Sequence, residues 1–318
     1  MIFNKNNGTP FPTNQPFPSN PPFPTNQGNP TFSMSSPMPT TPTTPVAPTV
    51  PTTMPHTTPS TIGLTSETQK LTFQAPKFIT CFPVMTANGA KHTALNLAFT
   101  YKQKYPEHRV ALIDLDFTHP TLLGLETSHD TVHGIDNLLD KIDSNHLTDE
   151  LFAANLVKLR NGVFVLKGTK LKDNSNTIRR EHLEVIFQNL RRGFDRVFIN
   201  VSSLDDQSGT VYGLHLTDCV LFILNNNYTN YQLCEEKYQL VTRYYHGDNL
   251  FGVFNKFNNH SKVEFGDWIY SKKMTVLSEI PYDEKAIDGS DWFGSLLSKT
   301  KRQTKKQSTY DYILDQLI

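Results

Sequence analysis

The stretch FITCFPVMTANGAKHTALNLAF, Phe78 to Phe99, places three things in succession: an apolar run, a short loop of small residues with one lysine, and an amphipathic run. That order suits phosphate binding. Backbone N–H groups of a tight loop converge on the anion, the next helix turns its positive end toward it, and a lysine adds a full charge. The loop candidates are Asn88, Gly89, Ala90, Lys91, His92 and Thr93. Glycine is favoured in such loops because a Cβ would block the approach of the backbone. Here Gly89 is the one glycine. A second set of chemical groups closes the run RVALIDLD, where Asp114 and Asp116 stand two apart. Acids at a strand's end can serve a ligand or simply cap the next turn.

These groups need a scaffold. From Lys77 onward, short apolar runs alternate with helical periodicity. Strands are expected at FITCFPV, RVALIDLD, GVFVLKG, FDRVFINVSS, DCVLFILN, NLFGVFNKF and MTVLSEIPYD. Helices are expected at TALNLAFTYKQKY, HGIDNLLDKI, IRREHLEVIFQNLRR and TNYQLCEEKYQLVTRYY. Strands that alternate with helices predict an α/β fold with a mainly parallel, doubly wound sheet covered on both faces. Ligands of such sheets sit at the carboxyl ends of the strands. Function is therefore expected just after Val84, Asp116, Val201 and Phe254.

Taken in order, these segments resemble the MinD/ParA group of P-loop ATPases from Lys77 to about Asp291. That group includes the CpaE/TadZ proteins of pilus systems and the bacterial tyrosine kinases. VALIDLDFTHPTLLGLE resembles the group's second strand with its Asp-x-Asp pair, and GIDNLLD and NGVFVLKGT resemble the segments that follow. FDRVFINVSS takes the place of the Walker B strand. GVFNKF resembles the strand whose asparagine reads an adenine edge, here Asn255. IPYDEKAID resembles the strand end beside the nucleotide, here Pro281. The resemblance implies ATP or ADP with Mg²⁺ as ligand and a homodimer as the working form. It implies Asp116 as the residue that positions an attacking water, and Thr93 with Asp114 as the Mg²⁺ side.

The departures are chemical. The group's loop reads Lys-Gly-Gly-x-Gly-Lys-Thr, and MTANGAKHT stands there. The bridging lysine has no counterpart. Either Lys91 or Ala90 takes the second lysine's place, depending on where the helix starts. His92 stands where a hydroxyl is expected if Lys91 does. Asn200 replaces the Walker B acid, and a neutral amide cannot orient the Mg²⁺ water shell as a carboxylate does. These losses predict binding without ordinary hydrolysis, or no nucleotide at all.

Charge and composition bound the rest. Net charge is zero, so no global field draws the chain to nucleic acid or an anionic membrane. The arginine pairs Arg179/Arg180 and Arg191/Arg192 are expected to be solvated, which makes nucleic acid the less favoured partner. Cys81, Cys219 and Cys234 lack metal spacing and are expected as buried thiols. His119, His129 and His133 fall in a loop and are not read as ligands. Sixteen of the 21 prolines precede residue 60, and Lys5 is the one charge before Glu67. Residues 1–70 are therefore expected to be a disordered tail. The repeats PFPTNQ, PFPSNP and PFPTNQ bring back Phe11, Phe17 and Phe23 every six residues, as either docking motifs for protein partners or simple low-complexity sequence.

The domains expected are 1–70, 71–298 and 299–318. The last pairs a basic run with a helix bearing Tyr310, Ile313, Leu314, Leu317 and Ile318. Its apolar face suits packing, a protein partner or a membrane surface. No leader or spanning segment is visible, so the chain is expected to be cytoplasmic, with the inner membrane face as a peripheral alternative. The leading expectation is a scaffold or nucleotide-sensing factor that positions or assembles an envelope machine, such as a pilus or secretion system. The alternatives are an active ATPase that moves plasmid, chromosome or protein cargo, and a capsule-type tyrosine kinase.

Overall fold

Seven of the apolar runs form strands of one eight-stranded sheet. The computed structural model describes residues 75–118, 134–169, 177–204, 207–258, 260–261, 263–281 and 304–318. The proline-rich repeats, His119, His129 and His133 lie outside the described residues, as do Asp205, Asp206 and the side chains of the basic run.

The elements are β1 (Phe78–Pro83), α1 (Ala90–Lys104), β2 (Val110–Leu115), α2 (Asp136–Asp143), α3 (Asp149–Ala154), β3 (Val157–Lys158) and β4 (Phe164–Leu166). There follow α4 (Arg180–Gly193), β5 (Arg196–Val201), α5 (Ser208–His215), β6 (Cys219–Leu224), α6 (Tyr228–Tyr244) and β7 (Leu250–Phe257). The chain ends with α7 (Gly266–Ser271), β8 (Thr275–Pro281) and α8 (Thr304–Leu317). The strand order is β3-β4-β2-β5-β1-β6-β7-β8. All neighbours are parallel except β3 and β4.

Every residue of β1, β2, β5 and β6 is buried. This is why these strands read as continuous apolar runs and not as alternating ones: a central parallel strand has helices over both faces. Side chains still alternate between two cores. Phe78 and Phe82 join Leu183, Ile186 and Phe187 of α4, Leu214 of α5 and Val241 of α6. Ile79 and Cys81 join Leu95 and Ala98 of α1.

α8 closes the second core. Tyr310, Ile313, Leu314 and Leu317 follow i, i+3, i+4, i+7 spacing and are buried with the α1 side chains. Lys104 of α1 pairs with Asp315 of α8. Of the three uses expected for this apolar face, the structure shows packing: the domain's own α1 covers it. Burying each of these large side chains contributes about 1.5–3 kcal/mol. No helix among the described residues is long and apolar enough to cross a membrane.

The sequence reading missed four small elements: α3, α5, α7 and β3. α5 is the instructive case. Its sequence SGTVYGLH carries two glycines and two β-branched residues, all weak helix formers. It is helical because both glycines let it press onto the sheet. A Cβ on Gly209 would stand 2.3 Å from the Leu115 carbonyl, and one on Gly213 would stand 2.6 Å from Val201.

Candidate nucleotide-binding site

The β1–α1 loop bends sharply at the carboxyl end of the sheet. Val84 N–H extends β1 pairing by donating to Ile223 O at 2.9 Å, and Asn88 N–H turns back to Met85 O at 3.1 Å. Two left-handed residues, Ala87 (φ 69°) and Gly89 (φ 87°), carry the turn. Gly89 is required twice over: for its φ, and because a Cβ there would lie 2.0 Å from the Asn255 amide nitrogen.

Polar groups from three other elements hold the loop. Asn255 Nδ2 of β7 donates to Asn88 O at 2.6 Å, and Lys256 Nζ donates to Ala87 O at 2.8 Å. Asn88 Nδ2 donates to Asn230 Oδ1 in α6 and to Ile223 O at 3.3 Å. Two loop carbonyls are thereby bound by β7, and carbonyls are the groups that would repel an anion. α1 starts at Ala90 with no side-chain cap and no acid in its first turn. Its leading N–H groups and positive dipole end suit an anion.

Lys91 lies in that first turn. Burial lowers its ammonium from the ordinary lysine value, and Asp114 and Asp116 oppose that shift. Of the two residues open for the lysine position, Lys91 is the one whose charge is felt by the acids, while Ala90 is a buried first helical residue. Asp114 is 0% exposed and faces its register partner Asn200, whose Nδ2 donates to Asp114 Oδ1 at 2.8 Å. Asp116 N–H donates to the same oxygen at 3.3 Å. Asp116 Oδ1 accepts from the Thr118 hydroxyl at 2.6 Å and from Thr118 N–H at 3.2 Å, so the turn-capping use of this acid is real. Thr118 and Ser202 hydroxyls meet at 3.3 Å, and Thr86 and Ser203 at 3.2 Å.

The residues expected on the Mg²⁺ side bond to other groups of the protein. Thr93 is fully buried and its hydroxyl donates back to Gly89 O at 3.1 Å, the previous turn of its own helix. The His92 ring turns toward Asn96 and the Tyr310 hydroxyl of α8, 3.3 Å away. Asp114 accepts the Asn200 amide. Among the described residues, no group of three or more His, Cys, Asp or Glu could hold a metal ion.

Beside the loop lies a cavity of about 650 Å³. Its walls come from Asn225, Asn226 and Asn227 after β6, from Lys256 to Asn258 and His260–Ser261 after β7, and from Pro281. Asn226 and the backbone of Asn258 hold each other through bonds of 2.7 and 2.9 Å. Asn225 Oδ1 is buried without a protein partner. Asn255 is not in the wall. The resemblance implied an adenine-reading asparagine there, but its amide is spent on the loop, and its neighbour Lys256 faces the cavity.

No family model matches this sequence, and no curated protein matches it. Solved structures do match. A ParA-family ATPase of Chlorobium tepidum TLS aligns with a TM-score of 0.61 at 14% identity, over 76% of this chain and 98% of that one. The MinC:MinD cell division complex of Aquifex aeolicus gives 0.58 at 15%, over 76% and 95%. A putative plasmid partition protein of Borrelia burgdorferi bound to AMPPNP gives 0.56 at 16%, over 76% and 98%. The fold is that of the MinD/ParA ATPases. At these identities the likeness carries the fold alone.

Within the MinD/ParA fold, the structure gathers Asn88, Gly89, Ala90, Lys91, Asp114, Asp116 and Asn200 at one end of β1, β2 and β5, and sets Pro281 at the cavity. Asn255 lies under the loop, while His92 and Thr93 turn away. The sequence reading missed the asparagines. Asn227 caps α6 by accepting from Asn230 N–H at 2.9 Å, and Asn230, 0% exposed, ties that cap to Asn88. The triplet Asn225–Asn227 at a strand's carboxyl end was a readable signal. Lys167 was missed too: it follows β4 at the same end of the sheet and is 1% exposed.

Proposed function

We propose that this chain is a nucleotide-sensing scaffold of MinD/ParA type. It binds an adenine nucleotide at the β1–α1 loop, turns it over weakly or not at all, and uses occupancy to position or assemble an envelope machine such as a pilus or secretion system. Support for nucleotide comes from the uncapped start of α1, Lys91 beside it, and the adjoining cavity for a base. The AMPPNP bound to the Borrelia protein is in keeping with this. A homodimer and protein partners belong to the same reading, as do the Phe-Pro repeats as the recruiting segment.

The observation that carries weak turnover is the Asn200–Asp114 bond of 2.8 Å. Phosphoryl transfer draws nearly all its acceleration from positioning and charge neutralisation. An amide at the Walker B position supplies no charge, and it occupies the neighbouring acid as well. The Mechanism that remains to these residues is binding. The α1 N–H groups and Lys91 hold phosphate oxygens, Asn255 and Lys256 keep two loop carbonyls engaged, and the asparagine-lined cavity takes the base.

Isothermal titration of the full chain with ATP and ADP tests this, with phosphate release followed in parallel. The expected result is dissociation constants on the order of 1–100 μM, lost in Lys91→Ala, with no steady phosphate release. No heat at millimolar nucleotide sinks the reading. Turnover abolished by Asp116→Ala would favour the active ATPase instead.

A further inference from the structure

The groups that would serve Mg²⁺ in this fold are each committed elsewhere, and the first turn of α1 carries the Lys91 ammonium. Thr93's hydroxyl is bound to Gly89 O, the His92 ring has no oxygen to offer, and Asn200 points its NH₂ at Asp114. The remaining hydroxyls near the loop pair among themselves, Thr86 with Ser203 and Thr118 with Ser202. Mg²⁺ demands an octahedral oxygen shell and depends on carboxylates to orient its waters. This site offers a buried Asp114 already accepting two N–H donors, and an Asp116 accepting two from Thr118.

We propose that Lys91 takes the place of the metal, so that the site prefers a nucleoside di- or triphosphate free of Mg²⁺. This deepens the nucleotide-binding reading and rests on it. The physical reason is charge. Mg²⁺ brings two positive charges that need carboxylate partners. Lys91 brings one that is permanently attached, at the uncapped first turn of α1. A metal-free nucleotide keeps its full negative charge for the α1 terminus and for Lys91, whereas Mg²⁺ would compete with Lys91 for the same oxygens. Such a site would hold the anion without the cation.

The test is titration of the full wild-type chain with ADP and with ATP, once in excess EDTA and once in excess MgCl₂. The expected result is affinity in EDTA equal to that in Mg²⁺ or tighter, by up to ~10-fold. Binding that weakens tenfold or more in EDTA overturns this inference and leaves the nucleotide reading standing. No binding in either buffer overturns both. Asn200→Asp, which returns a carboxylate to the Walker B position, should move the preference toward Mg²⁺. An unchanged preference in a variant that melts cooperatively would count against Asn200 as a cause of metal exclusion.

Discussion

The two ends of the sheet carry the same kinds of side chain and use them differently. At the amino end, Asp218 precedes β6 and its carboxylate accepts the N–H groups of Lys77 and Phe78, both at 2.9 Å, at the start of neighbouring β1. Asp195 precedes β5 and accepts from Arg109 N–H at 2.7 Å, at the start of β2. Arg196 stacks on Tyr101, 4.9 Å from its ring centre. Each acid there stitches one strand to the next. At the carboxyl end, Asp114 meets the Asn200 amide, and α1 begins with no side-chain cap. Polar groups spent on backbone make stability. Groups set against one another, beside an uncapped helix, leave capacity for a ligand.

Four substitutions would break or sharpen that contrast. The yardstick is Leu314→Ala, in α8 and away from both polar ends. It should cost about 2–5 kcal/mol by cavity formation alone, read by chemical denaturation, with nucleotide affinity unchanged. A cost under 1 kcal/mol would mean that α8 does not stay docked. Next, Asp218→Ala should cost about 2–3 kcal/mol, since it strands two N–H groups that met a charge, again with affinity unchanged. Loss of binding in a folded Asp218 variant would erase the distinction between the ends.

The carboxyl end should show the reverse. Gly89→Ala forces a strained φ and a clash with Asn255. About 1–2 kcal/mol of stability is expected to go, while nucleotide affinity falls tenfold or more. Lys91→Met should leave stability within ~0.5 kcal/mol of wild type or raise it, yet remove binding. The sign follows from the lowered Lys91 pKa. Between that value and the ordinary 10.5, the unfolded chain holds more protons than the folded one, so this lysine's contribution makes stability rise with pH. Nucleotide affinity should fall over the same window as the ammonium is lost. An affinity flat to pH 10.5 would show that Lys91 keeps its proton or takes no part.

The fold was legible because its signal is local and redundant. Continuous apolar runs such as CVLFIL and VALIDL can be satisfied only under two layers of helix, and β1, β2, β4 to β8, α1, α2, α4 and α6 all announced themselves. α5 did not, since its glycines lower helix propensity and its reason for being helical lies in contact with Leu115 and Val201. The site was legible in part. Gly89, Lys91, Asp114 and Asp116 stood out by type and spacing. Asn230 and Lys256 did not, because their role is set by meeting the loop across more than a hundred residues of chain.

The sequence by itself determined the layered α/β architecture, the burial of Cys81, Cys219 and Cys234, and the placing of Lys91, Asp114 and Asp116 at the strands' carboxyl ends. Periodicity and hydrophobic burial act on each segment separately, so they can be read from each segment. Only the tertiary structure decided that Asn255 is bonded to the loop and stays out of the cavity wall, that Thr93 faces its own helix, and that α8 packs on α1. Each of those outcomes depends on which long-range partner reaches a hydrogen-bonding or apolar group first, and spacing along the chain does not encode that.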